Sequence, residues 1–378
     1  MHGHIQPLLP LATALRDLGH EVGFATGPAF LSTLRDMGYA CFRAGADPLS
    51  PEQLIARFPN FGSVRPQEQR NFFFPRVFAG EEALPRAEDI LQVIASWRPS
   101  VLVNEVAEMG GPLAAAREHV PHATVGFGAP VQSEVLANTA EVTKEIWASW
   151  GMKQATLGGL YDHLYLDPCP PSLQPPDVGF IPNRRGMRAG TGPPPDELSA
   201  AALSGFPDDG VIYITMGTVY GRDAQLYREV VAGTVPAGRP VIVTTGPHVA
   251  PSEIGIGGAN ILCLPFLAQA AVLPRCDLVV THGGAGSVLG ALAFGVPLLI
   301  LPRGADQFYN AALVARAGAG RWLDPGEVSA DSISKSVQQL LTDPAYRTAA
   351  RRIQAGIEAM PRPAEVATVL ADLATSQP

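Results

Sequence analysis

The chain has 378 residues, of which 47 % are hydrophobic and 16 % charged, with a formal net charge of −8. That length exceeds what one hydrophobic core sustains and points to two domains, while the acidic balance leaves no basic footprint for nucleic acid. No apolar run reaches the roughly 20 residues needed to cross a bilayer, and no signal peptide is expected ahead of the first helix.

The opening Met1-His2-Gly3-His4 and Pro7 lead into Leu8, Leu11, Ala12, Leu15 and Leu18, the spacing of an amphipathic helix that Gly19 can end. Residues 22–25 begin a strand. Phe58, Phe61, Phe72, Phe73, Phe74 and Phe78 follow among loop-like residues. Three consecutive rings cannot all face inward from a helix or strand, so part of this run is expected to line a hydrophobic pocket. A helical run through Ala87, Ile90, Leu91 and Ile94 leads to a buried strand over 101–103, and Asn104, Glu105 and Glu108 stand at its C-terminal end. Residues 131–150, with Val135, Leu136, Ile146, Trp147 and Trp150, form a second apolar helical region able to wall the same pocket.

Residues 168–195 hold nine prolines in 28 positions, which excludes regular helix and inner strand and marks a domain boundary. Beyond it, strand 211–215 ends in Met216-Gly217-Thr218, and strands 241–244 and 261–264 precede Pro265-Phe266-Leu267-Ala268-Gln269. Helices are expected over 329–341, 345–359 and 363–375. Cys41, Cys169, Cys263 and Cys276 lie far apart without metal-ligand spacing; a reducing cytoplasm is expected, with two disulfides as the alternative.

The richest stretch is 278–320. Residues 278–280 form a short apolar strand, broken by His282-Gly283-Gly284-Ala285-Gly286-Ser287, and 288–294 then has the small and apolar spacing of a helix packed on a sheet. Glycines let backbone approach a ligand closely, and a helix start presents unpaired N–H groups at the positive end of a dipole. Such a site suits a phosphate. Gly295-Val296-Pro297 stops the helix, 298–301 is another buried strand, and Asp306-Gln307 follow it, where open α/β sheets bind their ligands. Alone, the glycine cluster also fits a dinucleotide site or an ordinary tight turn.

Taken together, His282-Gly283-Gly284-x-Gly286-Ser287, Gly295-Val296-Pro297, Pro302, Asp306-Gln307 and Asn310-Ala311 resemble the donor-binding signature of nucleotide-sugar glycosyltransferases. The likeness is greatest to bacterial natural-product (antibiotic) glycosyltransferases of the UDP-glycosyltransferase-like superfamily, and it covers nearly the whole chain. It implies an α/β protein with two doubly wound Rossmann-like domains facing across a cleft, the glycosyltransferase B fold. Residues 1–185 would be the acceptor-binding domain, 196–360 the nucleotide-sugar donor-binding domain, and 361–378 a C-terminal helix crossing back to the first. In the family a strand precedes the Gly-His-x-x-Pro turn. No residues supply it here, so either the first N-terminal strand is missing or the coding start lies upstream of Met1.

By the same resemblance His4, in Gly3-His4-Ile5-Gln6-Pro7, is the base that deprotonates the acceptor hydroxyl, work suited to an imidazole titrating near neutrality; an ordinary loop histidine is the alternative. His2 is the weaker candidate. Glu105, with Glu108 second, takes the place of the carboxylate that orients the histidine, a solvated loop carboxylate being the other reading. The implied donor site has Gly217 and Thr218 near the diphosphate, Phe266, Leu267 and Gln269 around the nucleobase, His282, Gly283, Gly284, Gly286 and Ser287 on the diphosphate, and Asp306 and Gln307 on sugar hydroxyls. Ala268 replaces the usual Pro before the Gln. Phe58, Phe72, Phe73, Phe74 and Trp147 are candidates to line the acceptor pocket, for a small apolar hydroxylated aglycone such as a polyketide or macrolide.

No Asp-x-Asp motif is present, so the expected cofactors are none, neither metal nor prosthetic group, beside the nucleotide-sugar co-substrate. A single base opposite the leaving group implies inversion at the anomeric carbon. Many relatives that use a ribonucleotide carry Glu on the ribose hydroxyls eight residues after the motif histidine, where this chain has Gly290; the resemblance therefore favours a dTDP-sugar over a UDP-sugar. A cytoplasmic monomer or homodimer is expected, with no nucleic-acid or membrane partner. Two rivals stand beside this reading. An NAD(P)-dependent dehydrogenase would need Gly-x-Gly-x-x-Gly after the first strand, where the chain has Met-His-Gly-His before its first helix. A non-catalytic helper protein of the same fold fits a missing strand, but not the joint presence of His4, Asp306 and Gln307.

Overall fold

The computed structural model describes residues 2–192, 194–218, 221–258 and 260–375. Met1, Pro193, the side chain of His2 and the last three residues of the expected C-terminal segment lie outside that description.

Parallel strands must be joined by crossovers, which lay helices on both sheet faces and leave the strands apolar throughout. The second half of the chain follows this rule. Its strands are β7 (Val211–Thr215), β8 (Val241–Thr244), β9 (Ile261–Leu264), β10 (Cys276–Thr281), β11 (Leu298–Ile300) and β12 (Gly320–Trp322), all parallel, in the order β12-β11-β10-β7-β8-β9. Every residue of β7 and β8 is buried. Alternate residues serve opposite faces: Tyr213, Ile242, Val279 and Leu298 enter one core cluster, Ile212, Val241, Val280 and Leu299 the other. Truncating Leu299 to Ala would cost about 2–5 kcal/mol. Read from β9, the order is 3-2-1-4-5-6, that of a doubly wound dinucleotide-type sheet.

The first half is split. A four-stranded parallel sheet runs β3 (Leu102–Glu105), β4 (His122–Val125), β5 (Leu164–Asp167) and β6 (Arg184–Gly186), while β1 (Gly23–Thr26) pairs with β2 (Ala40–Arg43) in a separate two-stranded sheet. Among the described residues no strand precedes Gly23; His2–Ile5 is instead one helical turn, followed by the helix Leu9–Asp17. β6 lies within the proline-rich stretch and is an edge strand, the place where neighbouring prolines are tolerated; it reaches one residue beyond position 185.

Residues 58–78, expected as loop, are mostly helical. Short turns lead to the helix Gln69–Phe72, a wide π-type run Phe73–Glu82 and the helix Ala83–Trp97. Pro75 lies inside this run and offers no N–H to a ladder, a local reason for the hydrogen bonds to run wide. At the other end, the helix Pro363–Thr375 packs Val366, Ala367 and Leu370 on Leu11 and Ala14 of the first helix, and Arg188 N–H donates to the Pro361 carbonyl at 2.8 Å. All four cysteines are free thiols. Among the described residues no helix is long and apolar enough to cross a membrane.

Candidate active site

In a sheet of this order the crevice opens where the crossovers from two neighbouring strands diverge, here between β7 and β10. Gly217 leaves β7 with φ +69° and Gly283 leaves β10 with φ +92°. A Cβ on Gly283 would stand 2.6 Å from Ile300 Cγ2, and one on Gly217 or Gly284 would stand 2.7 or 2.5 Å from His282 Nε2. Only glycines let the imidazole edge sit between the two turns. Burial drives the His282 pKa down to about 4, against the Asp306 charge and a ring hydrogen bond to the Thr215 carbonyl, so the ring is neutral at pH 7. The helix Ala285–Ala293 starts from an extended Gly284, with Gly286 exposed and Ser287 half-buried. Its first N–H groups have no intrahelical acceptor.

The loop that follows β11 is tied to this turn. Asp306 precedes the helix Gln307–Arg316, and its Oδ2 accepts from Asn310 Nδ2 at 2.8 Å; the same amide donates to the Gly283 carbonyl at 2.9 Å. Gln307 is 2 % exposed, and its Oε1 accepts from the N–H groups of Arg303 (2.7 Å) and Gly304 (3.2 Å). Its carbonyl thus shapes the loop, and its amide N–H groups are what it has for a ligand. After β9, Phe266 is 64 % exposed, whereas Leu267 is buried in the core and has only backbone to offer. Thr218 is exposed beside Gly217. Gln269 Oε1 lies 3.3 Å from where a Cβ on Gly290 would be.

Across the cleft, His4 Nδ1 is 2.9 Å from Glu105 Oε1, and Glu105 Oε2 accepts the Ala107 N–H at 2.8 Å. This carboxylate at the end of β3 favours the Nδ1–H tautomer and leaves Nε2 for a substrate. Burial lowers the His4 pKa, but the charge and hydrogen bond of Glu105 outweigh it, and the net shift is upward from 6.5. Glu108, the second candidate partner, is engaged elsewhere: its oxygens accept the N–H groups of Gly110 (2.8 Å) and Gly111 (2.6 Å), capping the helix Gly110–Glu118. That geometry makes it a helix cap on the cleft wall and not the orienting partner of His4.

His4 opens on a cleft lined by Phe30, Phe78, Glu82, Arg86 and Glu105 among others. A ladder of rings runs away from it: His4 to Phe78 (6.1 Å between centroids), Phe78 to Phe73 (6.1 Å), Phe73 to Phe61 (5.4 Å), Phe61 to Phe72 (5.2 Å) and Phe72 to Phe58 (5.3 Å). Phe58, Phe72 and Phe73 are half-buried; Phe74 is in the core. Trp147, expected in the pocket wall, is 3 % exposed and packs against Gly159. Its helix, Ser133–Ser149, turns Val135, Leu136, Ala140 and Trp147 into the domain core, the ordinary use of an amphipathic face. The cleft wall is also more charged than its sequence implied, since Glu82, Arg86, Glu105 and Glu108 all reach it.

One short segment joins the two halves. The Phe127 ring lies 5.3 Å from that of His4, and a Cβ on Gly128 would come 2.6 Å from Ala285 Cβ at the start of the helix Ala285–Ala293. Asp306 acts on both His4 and His282 by its charge. Sequence reasoning missed Phe127, Glu82, Arg86, Gln69 and Arg70; the Gly126-x-Gly128 pattern after β4 was the one available signal. Among the described residues no group of three or more His, Cys, Asp or Glu is arranged to hold a metal ion.

A family model described as the C-terminal domain of erythromycin biosynthesis protein CIII-like proteins matches residues 239–373. The L-demethylnoviosyl transferase of Streptomyces niveus is 31 % identical over 98 % of this chain and 95 % of its own length. Among solved structures, the glycosyltransferase SnogD from Streptomyces nogalater matches with a TM-score of 0.79 at 26 % identity, covering 98 % of this chain and 96 % of that one. Spinosyn rhamnosyltransferase SpnG, complexed with thymidine diphosphate, matches with a TM-score of 0.79 at 25 % identity over 98 % and 97 %. Likeness of this extent, joined to the sheet order and the switch-point turn, shows that the chain belongs to the bacterial natural-product glycosyltransferases of the B fold.

Proposed function

We propose that the protein moves a sugar from a nucleoside diphosphate sugar, a dTDP-sugar in preference to a UDP-sugar, to a hydroxyl of an apolar natural-product aglycone, with inversion at the anomeric carbon. The observation that carries this reading is the His4–Glu105 pair at 2.9 Å, opening on the cleft and joined through Phe127 and Gly128 to the start of the donor helix. The acceptor hydroxyl gives its proton to His4 Nε2 as its oxygen attacks the anomeric carbon. The bond from that carbon to the diphosphate oxygen breaks, and Glu105 stabilises the imidazolium that forms.

The departing diphosphate carries the new negative charge. Backbone N–H groups at the start of Ala285–Ala293 and the Ser287 hydroxyl meet it, without a divalent ion. His282 adds a condition. While the ring is neutral its one N–H is taken by the Thr215 carbonyl, and Thr281 Oγ1 lies 3.2 Å from Nδ1, so the ring must gain a proton to donate to a phosphate oxygen. For the donor base, Gly290 supplies no carboxylate, and the adjacent space is partly taken by Gln269. SpnG, solved with thymidine diphosphate, supports the same base. Replacing His4 by Ala should lower turnover about 10²-fold or more while the calorimetric affinity for the nucleotide sugar changes less than about twofold; near-normal turnover would reject His4 as the base.

A further inference from the structure

Gln69 and Arg70 open the helix Gln69–Phe72, just ahead of the ring ladder, and both reach the second domain. Gln69 Oε1 accepts the Ala305 N–H at 3.2 Å, across 236 positions of sequence. Ala305 has φ +52°, a left-handed conformation that a residue with a Cβ holds only when its surroundings impose it. Its predecessors Arg303 and Gly304 have their N–H groups fixed by Gln307 Oε1. Three consecutive loop N–H groups are therefore held by two glutamines, one from each domain, and Asp306 follows directly.

Arg70 is 5 % exposed. Its Nη1 donates to Gln132 Oε1 at 2.9 Å, and its guanidinium lies 5.1 Å from the ring centre of Tyr309, one turn into the helix that Asp306 precedes. Its Nε is buried without a hydrogen-bond partner, as are the hydroxyls of Tyr161 and Tyr165. A buried cation is costly unless negative charge or polar atoms compensate it, and Asp306 is the carboxylate whose charge reaches it. This places the guanidinium beside the sugar loop, stacked on the second domain and tied to the first.

We propose that Gln69 and Arg70 are positioning residues through which the acceptor domain holds loop 303–307 in its sugar-binding shape, so that the sugar of the donor is gripped only when the two domains are closed on each other. The proposal rests on the reading of Asp306 and Gln307 as sugar ligands. Because the helix bearing Gln69 runs on into Phe72 and Phe73, the same contact links the acceptor-side ladder to the donor loop.

Calorimetry with two probes, a dTDP-sugar and dTDP itself, tests this without requiring turnover. Gln69 is half-exposed, so Gln69→Ala should fold; it should weaken the dTDP-sugar about 3- to 10-fold, the size of one hydrogen bond, and leave dTDP within about twofold. Arg70→Lys, which keeps the charge but loses the planar stacking group, should show the same selective loss. In an Asp306→Ala background Gln69→Ala should add less than about twofold, because the two act through one loop. Equal weakening of both probes, no weakening of either, or additive losses would overturn the proposal. Failure of the unsubstituted protein to bind either probe would instead reject the glycosyltransferase reading of the site.

Discussion

Replacing Glu105 by Gln keeps the shape beside His4 and removes the charge. In the folded protein burial pulls the His4 pKa down, and the carboxylate 2.9 Å away pulls it up more strongly, by its charge and by a hydrogen bond. With the charge gone, burial dominates and the pKa falls below its ordinary value. A charge-assisted hydrogen bond of this kind is worth about 1.5–3 kcal/mol, which corresponds to about 1–2 pH units. As the base of the proposed reaction His4 works only when neutral, so kcat/KM in the native protein should rise with pH through a limb above 6.5. In Glu105→Gln that limb should move to lower pH by about 1–2 units. The plateau should also drop, by about 10- to 100-fold, because the imidazolium formed in the transition state has lost its partner. The assay is the pH dependence of kcat/KM for sugar transfer to one fixed acceptor. An acidic limb that stays in place, or a plateau within about twofold of normal, would refute the base assignment and the orienting role of Glu105 together.

If the His282 ring must gain a proton to meet the diphosphate, nucleotide-sugar affinity should rise as pH falls from 8 to 5, by at most about tenfold per pH unit. His282→Ala should abolish that slope and Ser287→Ala should leave it, while both weaken binding equally with magnesium and with chelator; a flat native profile would exclude the protonation. Because Gly290 removes the carboxylate that would hold a ribose diol, dTDP should compete about 2- to 10-fold better than UDP, and a clear UDP preference would show that another group, with Gln269 the nearest, replaces it. His122, like His282, is pushed down to about 4 by burial. Their folded pKa values lie below the unfolded 6.5, so the stability each contributes is present above that value and lost as pH falls from 6.5 towards 4. His122→Gln should therefore reduce the fall in urea-unfolding free energy between pH 7 and pH 4.5 by about 2 kcal/mol, and parallel curves for the two proteins would show that His122 does not titrate there.

The sequence by itself determined the elements whose signals are local. The runs Val211–Thr215, Val241–Thr244 and Cys276–Thr281 are apolar because both faces of a parallel sheet are covered, and the His282–Ser287 turn needs glycines because its backbone folds against a ring. Tertiary structure decided what distance along the chain conceals. Glu105 and Glu108 stand three positions apart at one strand end, and only folding turns one to His4 and the other to a helix start. Trp147 and Phe72 look equally suited to a pocket by hydrophobicity, yet the amphipathic face of Ser133–Ser149 takes the tryptophan into the core, while the half-buried Phe72 joins the ring ladder. The contacts of Gly128, Gln69 and Arg70 cross between the two domains, and that of Phe127 with His4 joins distant segments of the first. No periodicity or spacing encodes them, because they arise from the packing of finished elements on one another.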